Sequence, residues 1–226
     1  MTGDAAYFLL TEKRRKDLQL PIVSMTPVLS KARHLVYAEI TKASFQKLRD
    51  ADHRVWLFRP GKKALSHSAV QKYLKTLASQ GGCQKRRFKI SHREIWHKTP
   101  LPPKPHGFIS GMSDAGPYIC FNAMPRLTAS NTLYTIRFRT GLSSREMFSI
   151  ALALLTSSVR SQVNKAVRRY AGGLRKLEPK DLADLHLPME KTFETSKEIY
   201  NAAITTLWAS GVRAAQRIAN KHFAKK

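Results

Sequence analysis

Acidic residues are scarce. The chain has 15 Asp and Glu in 226 residues against 40 Lys and Arg, a formal net charge of +25. A folded protein so one-sided repels itself, and the excess is usually tolerated because the partner is a polyanion. Nucleic acid is the first candidate and an anionic membrane surface the second. A metal-dependent nuclease centre needs clustered carboxylates, and these are too few and too scattered. Cysteine is nearly absent too. Cys83 and Cys120 stand far apart in no metal-like spacing and read as free thiols of a reducing cytoplasm. His92 and His97, five residues apart, match no zinc pattern, and no metal ligand is assigned. No paired carboxylate, Cys-His or Ser-His arrangement has recognisable spacing, so no catalytic residue is assigned either. No glycine-rich loop of the phosphate- or dinucleotide-binding kind follows a strand. Long apolar runs are missing: Met147 to Leu155 is about half of the roughly 18 to 20 residues that span a bilayer. The stretch Met1 to Leu10 has no basic region before its apolar part, which argues against a signal peptide. No membrane partner is expected, and the location expected is cytoplasmic and nucleoid-associated.

What is present is a globular chain, 42% hydrophobic, long enough to bury a core. Tyr7 to Leu10, His34 to Ile40 and Arg54 to Phe58 read as strands by aromatic and β-branched content, and Ser44 to Asp50 as a short helix. Pro21 to Val28 reads as a turn between two proline breakers. Val70, Tyr73, Leu74 and Leu77 fall at helical spacing after Ser66 or Ser68, and Gly81-Gly82 stops that helix. Phe108 to Ile109, Tyr118 to Phe121 and Leu133 to Phe138 give a β-rich middle. The last third changes period. From Ser144 to Tyr170 apolar residues recur every three or four positions, with Gly172-Gly173 as the stop. A second long helix is expected from about Met189 to Phe223, with Gly211 a weak point. The fold class expected is α+β: a β-rich core followed by two long helices.

The basic residues concentrate. Between positions 85 and 104 stand Lys85, Arg86, Arg87, Lys89, Arg93, Lys98 and Lys104 against Glu94 alone. Lys and Arg that neutralise phosphates release condensed counterions, the main source of affinity for DNA. Such contacts position a protein, whereas reading needs side chains at base edges. Lys85, Arg86, Arg87, Arg93, Lys98, Arg126, Arg137 and Arg139 lie on or beside predicted strands and loops and are the candidate DNA face. Solvated surface charge is the plain alternative for each alone. Arg160, Lys165, Arg168, Arg169, Arg175 and Lys176 form a second group, and for Arg168 and Arg169 complementing a helix dipole is an equally good reason. Trp96 stacks on a base or wedges a step in one reading and fills the core in the other.

The order of several segments resembles a known family. Thr2-Gly3-Asp4-Ala5-Ala6-Tyr7-Phe8-Leu9-Leu10-Thr11 resembles the start of the recognition half of TaqI-type adenine-specific DNA methyltransferases of restriction-modification systems. Met25-Thr26-Pro27-Val28-Leu29 with Lys31-Ala32-Arg33 is similar to the segment that follows there. Arg93-Glu94-Ile95-Trp96-His97 before prolines, and Asn131-Thr132-Leu133-Tyr134, are similar to later ones. The closing part is the most specific: Leu154 to Ser158, Arg168-Arg169-Tyr170-Ala171-Gly172-Gly173-Leu174-Arg175-Lys176-Leu177, Pro179-Lys180-Asp181-Leu182 and Leu187-Pro188. The resemblance spans about Thr2 to Pro188. It departs from the family in Asp4, where Asn is common.

The resemblance implies a target-recognition domain over 1-188, with Lys31 and Arg33 joining the DNA-facing residues. A C-terminal helix over 189-226 lies beyond it and either packs on the domain or docks a partner. The family methylates the adenine amino group with S-adenosylmethionine after flipping the base. The catalytic Asn-Pro-Pro-Tyr motif and the glycine-rich cofactor turn are absent from these residues. The expectation is therefore sequence-specific double-stranded DNA binding as the specificity component of a split system. No cofactor is expected in this chain, and S-adenosylmethionine and catalysis are expected in a partner methyltransferase subunit. A stand-alone DNA-binding protein and a basic RNA-binding protein are the alternatives, and whether the chain takes part in an enzyme stays open.

Overall fold

Thr2-Gly3-Asp4 begins a computed structural model that describes residues 2–169, 175–189 and 195–224. The described residues fall into two units. One comprises Met1–His34, Thr41–Pro105 and Ala123–Asn131, the other Leu35–Ile40, His106–Asn122 and Thr132–Lys226.

In the first unit Asp4 caps α1 (Ala5–Phe8), its carboxylate accepting from the Tyr7 amide. The chain then straightens into β1 (Leu9–Leu10). Thr11 caps α2 (Glu12–Asp17), so the strand expected over Tyr7 to Leu10 is half helix. A capped tetrapeptide wins locally over aromatic strand propensity. Glu12 ties α2 to the sheet. It accepts from the Nε and one terminal nitrogen of Arg15 at 3.0 and 2.7 Å and from the Trp56 indole N–H at 2.6 Å. These donors hold its carboxyl below its usual range, with the Arg15 hydrogen bond the largest cause.

The stretch read as a turn holds β2 (Met25–Leu29) after a short 3-10 turn. Pro27 is tolerated for a geometric reason. Val28 donates to the Val55 carbonyl on the antiparallel neighbouring segment at 2.8 Å, so the Pro27 nitrogen points to the other edge. There the parallel partner begins only opposite Val28, and no ladder bond is lost. With β4 (Trp56–Phe58) and β7 (Thr128–Ala129) the sheet order is β1-β4-β2-β7. The helices α3 (Lys42–Asp50), α4 (Ser68–Lys75) and α5 (Phe88–Ser91) complete this unit. Its core is aromatic. Tyr7 and Tyr73 stack at 4.5 Å, and each hydroxyl donates to the other's carbonyl, at 3.1 and 2.8 Å.

The second unit has the sheet β3-β6-β5-β8, from β3 (Glu39–Ile40), β5 (Gly107–Ile109), β6 (Cys120–Asn122) and β8 (Tyr134–Ile136). The single helix expected from Ser144 is two: α6 (Ser144–Ala153) and α7 (Ser157–Ala166). Thr156 makes the break. Its hydroxyl donates back to the Ala153 carbonyl at 2.8 Å and accepts from the Val159 amide, closing one helix and capping the next. The apolar period survives because the burial runs on through the break: Leu152 on α6, Leu155 between the helices, and Val159 and Val163 on α7 are all buried. A two-stranded ribbon of β9 (Arg168–Arg169) and β10 (Arg175–Lys176), then α8 (Pro179–Ala183), follow. The Gly172-Gly173 stop lies outside the described residues.

The two long helices stand at the end, α9 (Lys197–Ser210) and α10 (Val212–Ala224). One helix was expected there. Gly211, at φ 82°, splits it, a conformation cheap only for glycine. The expected α+β class with closing long helices is the one observed. Its strands are short, two to five residues each.

Tyr200 on α9 is buried, and its hydroxyl both donates to the Ile119 carbonyl at 2.5 Å and accepts from the Ile119 amide at 3.1 Å. Its ring meets Phe121 edge-on at 5.6 Å. One phenol thus satisfies the backbone of the residue that leads into β6. Tyr200→Phe keeps the ring and orphans both groups, and is expected to cost about 1–3 kcal/mol. Urea denaturation of the two proteins measures it, and equal midpoints would contradict this account.

Candidate nucleic-acid interface

The N-terminal turn organises the basic segment. Gly3 sits at φ +75°, and a Cβ there would lie 2.8 Å from Ile90, so only glycine lets the turn lie against α5. One Asp4 oxygen accepts from the Tyr7 amide at 3.4 Å and the other from the Gln84 amide at 3.0 Å. Arg87 closes the arrangement, donating to the Gly3 carbonyl at 3.2 Å and lying 3.6 Å from the Asp4 carboxylate. The start of the chain thereby holds a loop some 80 residues later.

Trp96 continues this scaffold. Its ring lies 5.9 Å from Tyr7 and 6.4 Å from Phe8, and the Lys85 ammonium sits 4.5 Å over it. Trp96 is half-buried, so it braces the segment and shares its face with a cation. Arg93 is engaged by the fold. It donates to the Thr2 carbonyl at 2.6 Å and the Trp96 carbonyl at 3.0 Å, and lies 5.3 Å from the Phe8 ring. Burial lowers its pKa. Cys83, just before the segment, has its thiol pushed up to about 11 by burial, far from a thiolate nucleophile.

Lys85, Arg86, Arg87, Lys89 and Lys98 are exposed along this segment. The structure therefore brings together Lys85, Arg86, Arg87, Arg93, Trp96 and Lys98 in the first unit. Lys31 is exposed just before, and Arg33 on, the 3-10 turn at Ala32–His34 that follows β2. Arg126 is exposed before β7 and lines a groove of about 360 Å³ with Arg59, Lys104, Met25 and Pro102. Arg59, whose Nε donates to the Thr99 carbonyl at 2.7 Å, was not a sequence candidate. It stands between the end of β4 and Pro60-Gly61, and only the fold brings it to Arg126.

In the second unit Arg137 and Arg139 are exposed just past β8. Arg168, Arg169, Arg175 and Lys176 do not end a helix as expected. Their backbones pair across the β9–β10 ribbon, Arg175 opposite Arg169 and Lys176 opposite Arg168. Arg168 and Arg169 follow the end of α7 at Ala166 by two and three residues. Lys176 pairs with Glu178 at 2.7 Å. The other three side chains lie outside what the structure describes.

His34 is buried beside Lys31 and Arg33. Its Nδ1 accepts from the Ser30 amide at 3.4 Å, and its ring stacks on His53 at 5.0 Å. Burial, then the neighbouring His53, Arg33 and Lys31, lower its pKa from 6.5 to about 4.

The 226-residue chain matches the family model for the C-terminal domain of the type II methyltransferase M.Eco57I over residues 1–220. It belongs to that family. The match covers nearly the whole chain, as the resemblance to a methyltransferase recognition half implied, and also takes in α9 and most of α10. Type II methyltransferases set the domain among the DNA-modifying enzymes of restriction-modification systems. No curated protein matches the chain. Among the described residues no helix is long and apolar enough to cross a membrane, and no three His, Cys, Asp or Glu gather to hold a metal.

Two outcomes are expected of this M.Eco57I-type domain. Asp4→Ala removes the α1 cap and the acceptor for Gln84, and is expected to cost roughly 2 kcal/mol. Asp4→Asn keeps one acceptor and is expected to fall between it and the native protein in denaturant midpoint. Replacing His34 by Asn keeps an acceptor for Ser30 but removes the titration. The unfolded imidazole binds protons more readily than the folded one, so stability present above pH 6.5 is lost as pH falls toward about 4. The loss reaches about 3 kcal/mol, and the stability difference between the two proteins across that window measures it. No pH dependence in that difference would contradict the assignment.

Proposed function

We propose that the domain binds double-stranded DNA sequence-specifically, as the specificity component of an adenine-specific methyltransferase. A catalytic partner subunit binds S-adenosylmethionine and carries out methyl transfer. The observation that carries this reading is the pinned basic segment at 84–98. Its exposed cations stand on a rigid aromatic base within a type II methyltransferase domain. Fixed cations lose less conformational freedom on meeting phosphates than loose ones.

Roles divide by geometry. Lys85, Arg86, Arg87 and Lys98 meet phosphates or base edges, and Arg93 and Trp96 position them. Lys31, Arg33 and Arg126 contribute further contacts from the same unit. Arg137, Arg139 and the β9–β10 ribbon do so from the other. DNA binding and a cytoplasmic place beside the nucleoid follow from the same charge.

Fluorescence anisotropy with random duplex DNA at two salt concentrations, with matched RNA alongside, tests the reading. Strongly salt-dependent binding that prefers the duplex is expected. Arg86→Ala with Lys89→Ala is expected to flatten the plot of log affinity against log salt by about 2 if both meet phosphates. A preference for RNA, or no duplex binding, would sink the proposal.

A further inference from the structure

Phe88 leaves 74% of its surface in solvent, more than any other large apolar side chain among the described residues. It is not a loose ring at a chain end. Arg87 before it is tied to Gly3 and Asp4. Ile90 after it is fully buried against Gly3. The His92 ring lies 4.1 Å from the Phe88 ring, and His92 Nδ1 is 2.8 Å from the Phe88 carbonyl. The fold thus fixes the backbone on both sides and braces the ring outward, where water gains nothing from it.

The surroundings identify the partner. Lys85, Arg86, Arg87 and Lys89 are exposed within three residues of Phe88, and the acid of this stretch, Glu94, stands six residues away. A ring set among cations fits a partner that offers dense negative charge and a flat apolar face together. Stacked bases between phosphates offer both.

We propose that Phe88 is a stacking wedge: its ring inserts against the bases of one DNA step, while Lys85, Arg86 and Lys89 hold the flanking phosphates. This rests on the DNA-binding reading and adds a contact that charge alone does not supply. The sequence carried a signal for it, an aromatic interleaved in the run Lys85-Arg86-Arg87-Phe88-Lys89, but the ring's exposure is visible only in the fold.

Phe88→Ala and Phe88→Trp test it, and both variants are expected to melt with the native protein because the ring is exposed. F88A is expected to bind random duplex DNA between about fivefold and a hundredfold more weakly, the range for losing one base stack. Its salt slope is expected to stay native, since no charge is removed. The added indole of F88W is expected to be quenched by duplex and unaffected by phosphatidylserine vesicles. Native affinity in F88A while the parent protein binds duplex would overturn the wedge alone. An indole that responds to vesicles and not to duplex would overturn it in favour of a lipid surface. Failure of the parent protein itself to bind duplex would overturn the DNA-binding reading and the wedge with it.

Discussion

The Asp4 carboxylate, almost fully buried in a protein of net charge +25, is the interaction on which the first unit's functional surface depends. It accepts from two backbone amides some 80 residues apart and faces a guanidinium. A buried carboxylate is costly unless its lone pairs are satisfied, and this one is satisfied by both chain segments at once. Without it, Lys85, Arg86 and Arg87 would repel one another on a loop that has lost its acceptor for the Gln84 amide and its facing carboxylate. With it, self-repulsion is held in place and becomes a field aimed at solvent. The aromatic group of Tyr7, Phe8, Trp96 and Tyr73 gives that field a stiff support.

Some of this was legible in the sequence, because its cause is local or compositional. The one-sided charge and the basic stretch from Lys85 to Lys98 needed no fold to be seen, and Gly211 could be marked as a weak point though not as a break. The family could be read from the order of segments from Thr2-Gly3-Asp4 to Leu187-Pro188. Other features depend on partners distant in the chain. Pro27 looks like a breaker until the neighbouring strand shows which way its nitrogen points. Arg93 looks like a base reader until Thr2 and Trp96 claim its hydrogens. Thr156 splits a helix whose apolar period runs on without interruption, since period reports a buried face and not the continuity of the backbone beneath it. Arg59 and Arg126, 67 residues apart, share a groove that no spacing rule predicts.

The two sheets are built of strands too short to be stable alone. Side chains that reach across elements fasten them: Glu12 to Trp56 in one unit, Tyr200 to Ile119 in the other. Each fastener satisfies polar groups that burial would otherwise orphan. A surface devoted to cations contributes little to packing, so the aromatic and hydrogen-bonded interior carries the stability of both units.

The chain passes between the two units repeatedly, and neither unit is a continuous stretch. β7 joins its sheet only at residues 128–129, and β3 at 39–40 waits for β6 at 120–122. On the ribosome, the first unit stays open until more than half of the chain has emerged. The second stays open until Tyr200 has followed. Such long-range closures favour slow, concerted folding. The same threading constrains inheritance. A recombination event whose ends fall in different units takes pieces of both and leaves strands without partners. Substitutions confined to a surface loop such as 84–98 disturb no such pairing. The character of that surface is therefore altered more readily by accumulating single changes there than by transplanting a block from a relative.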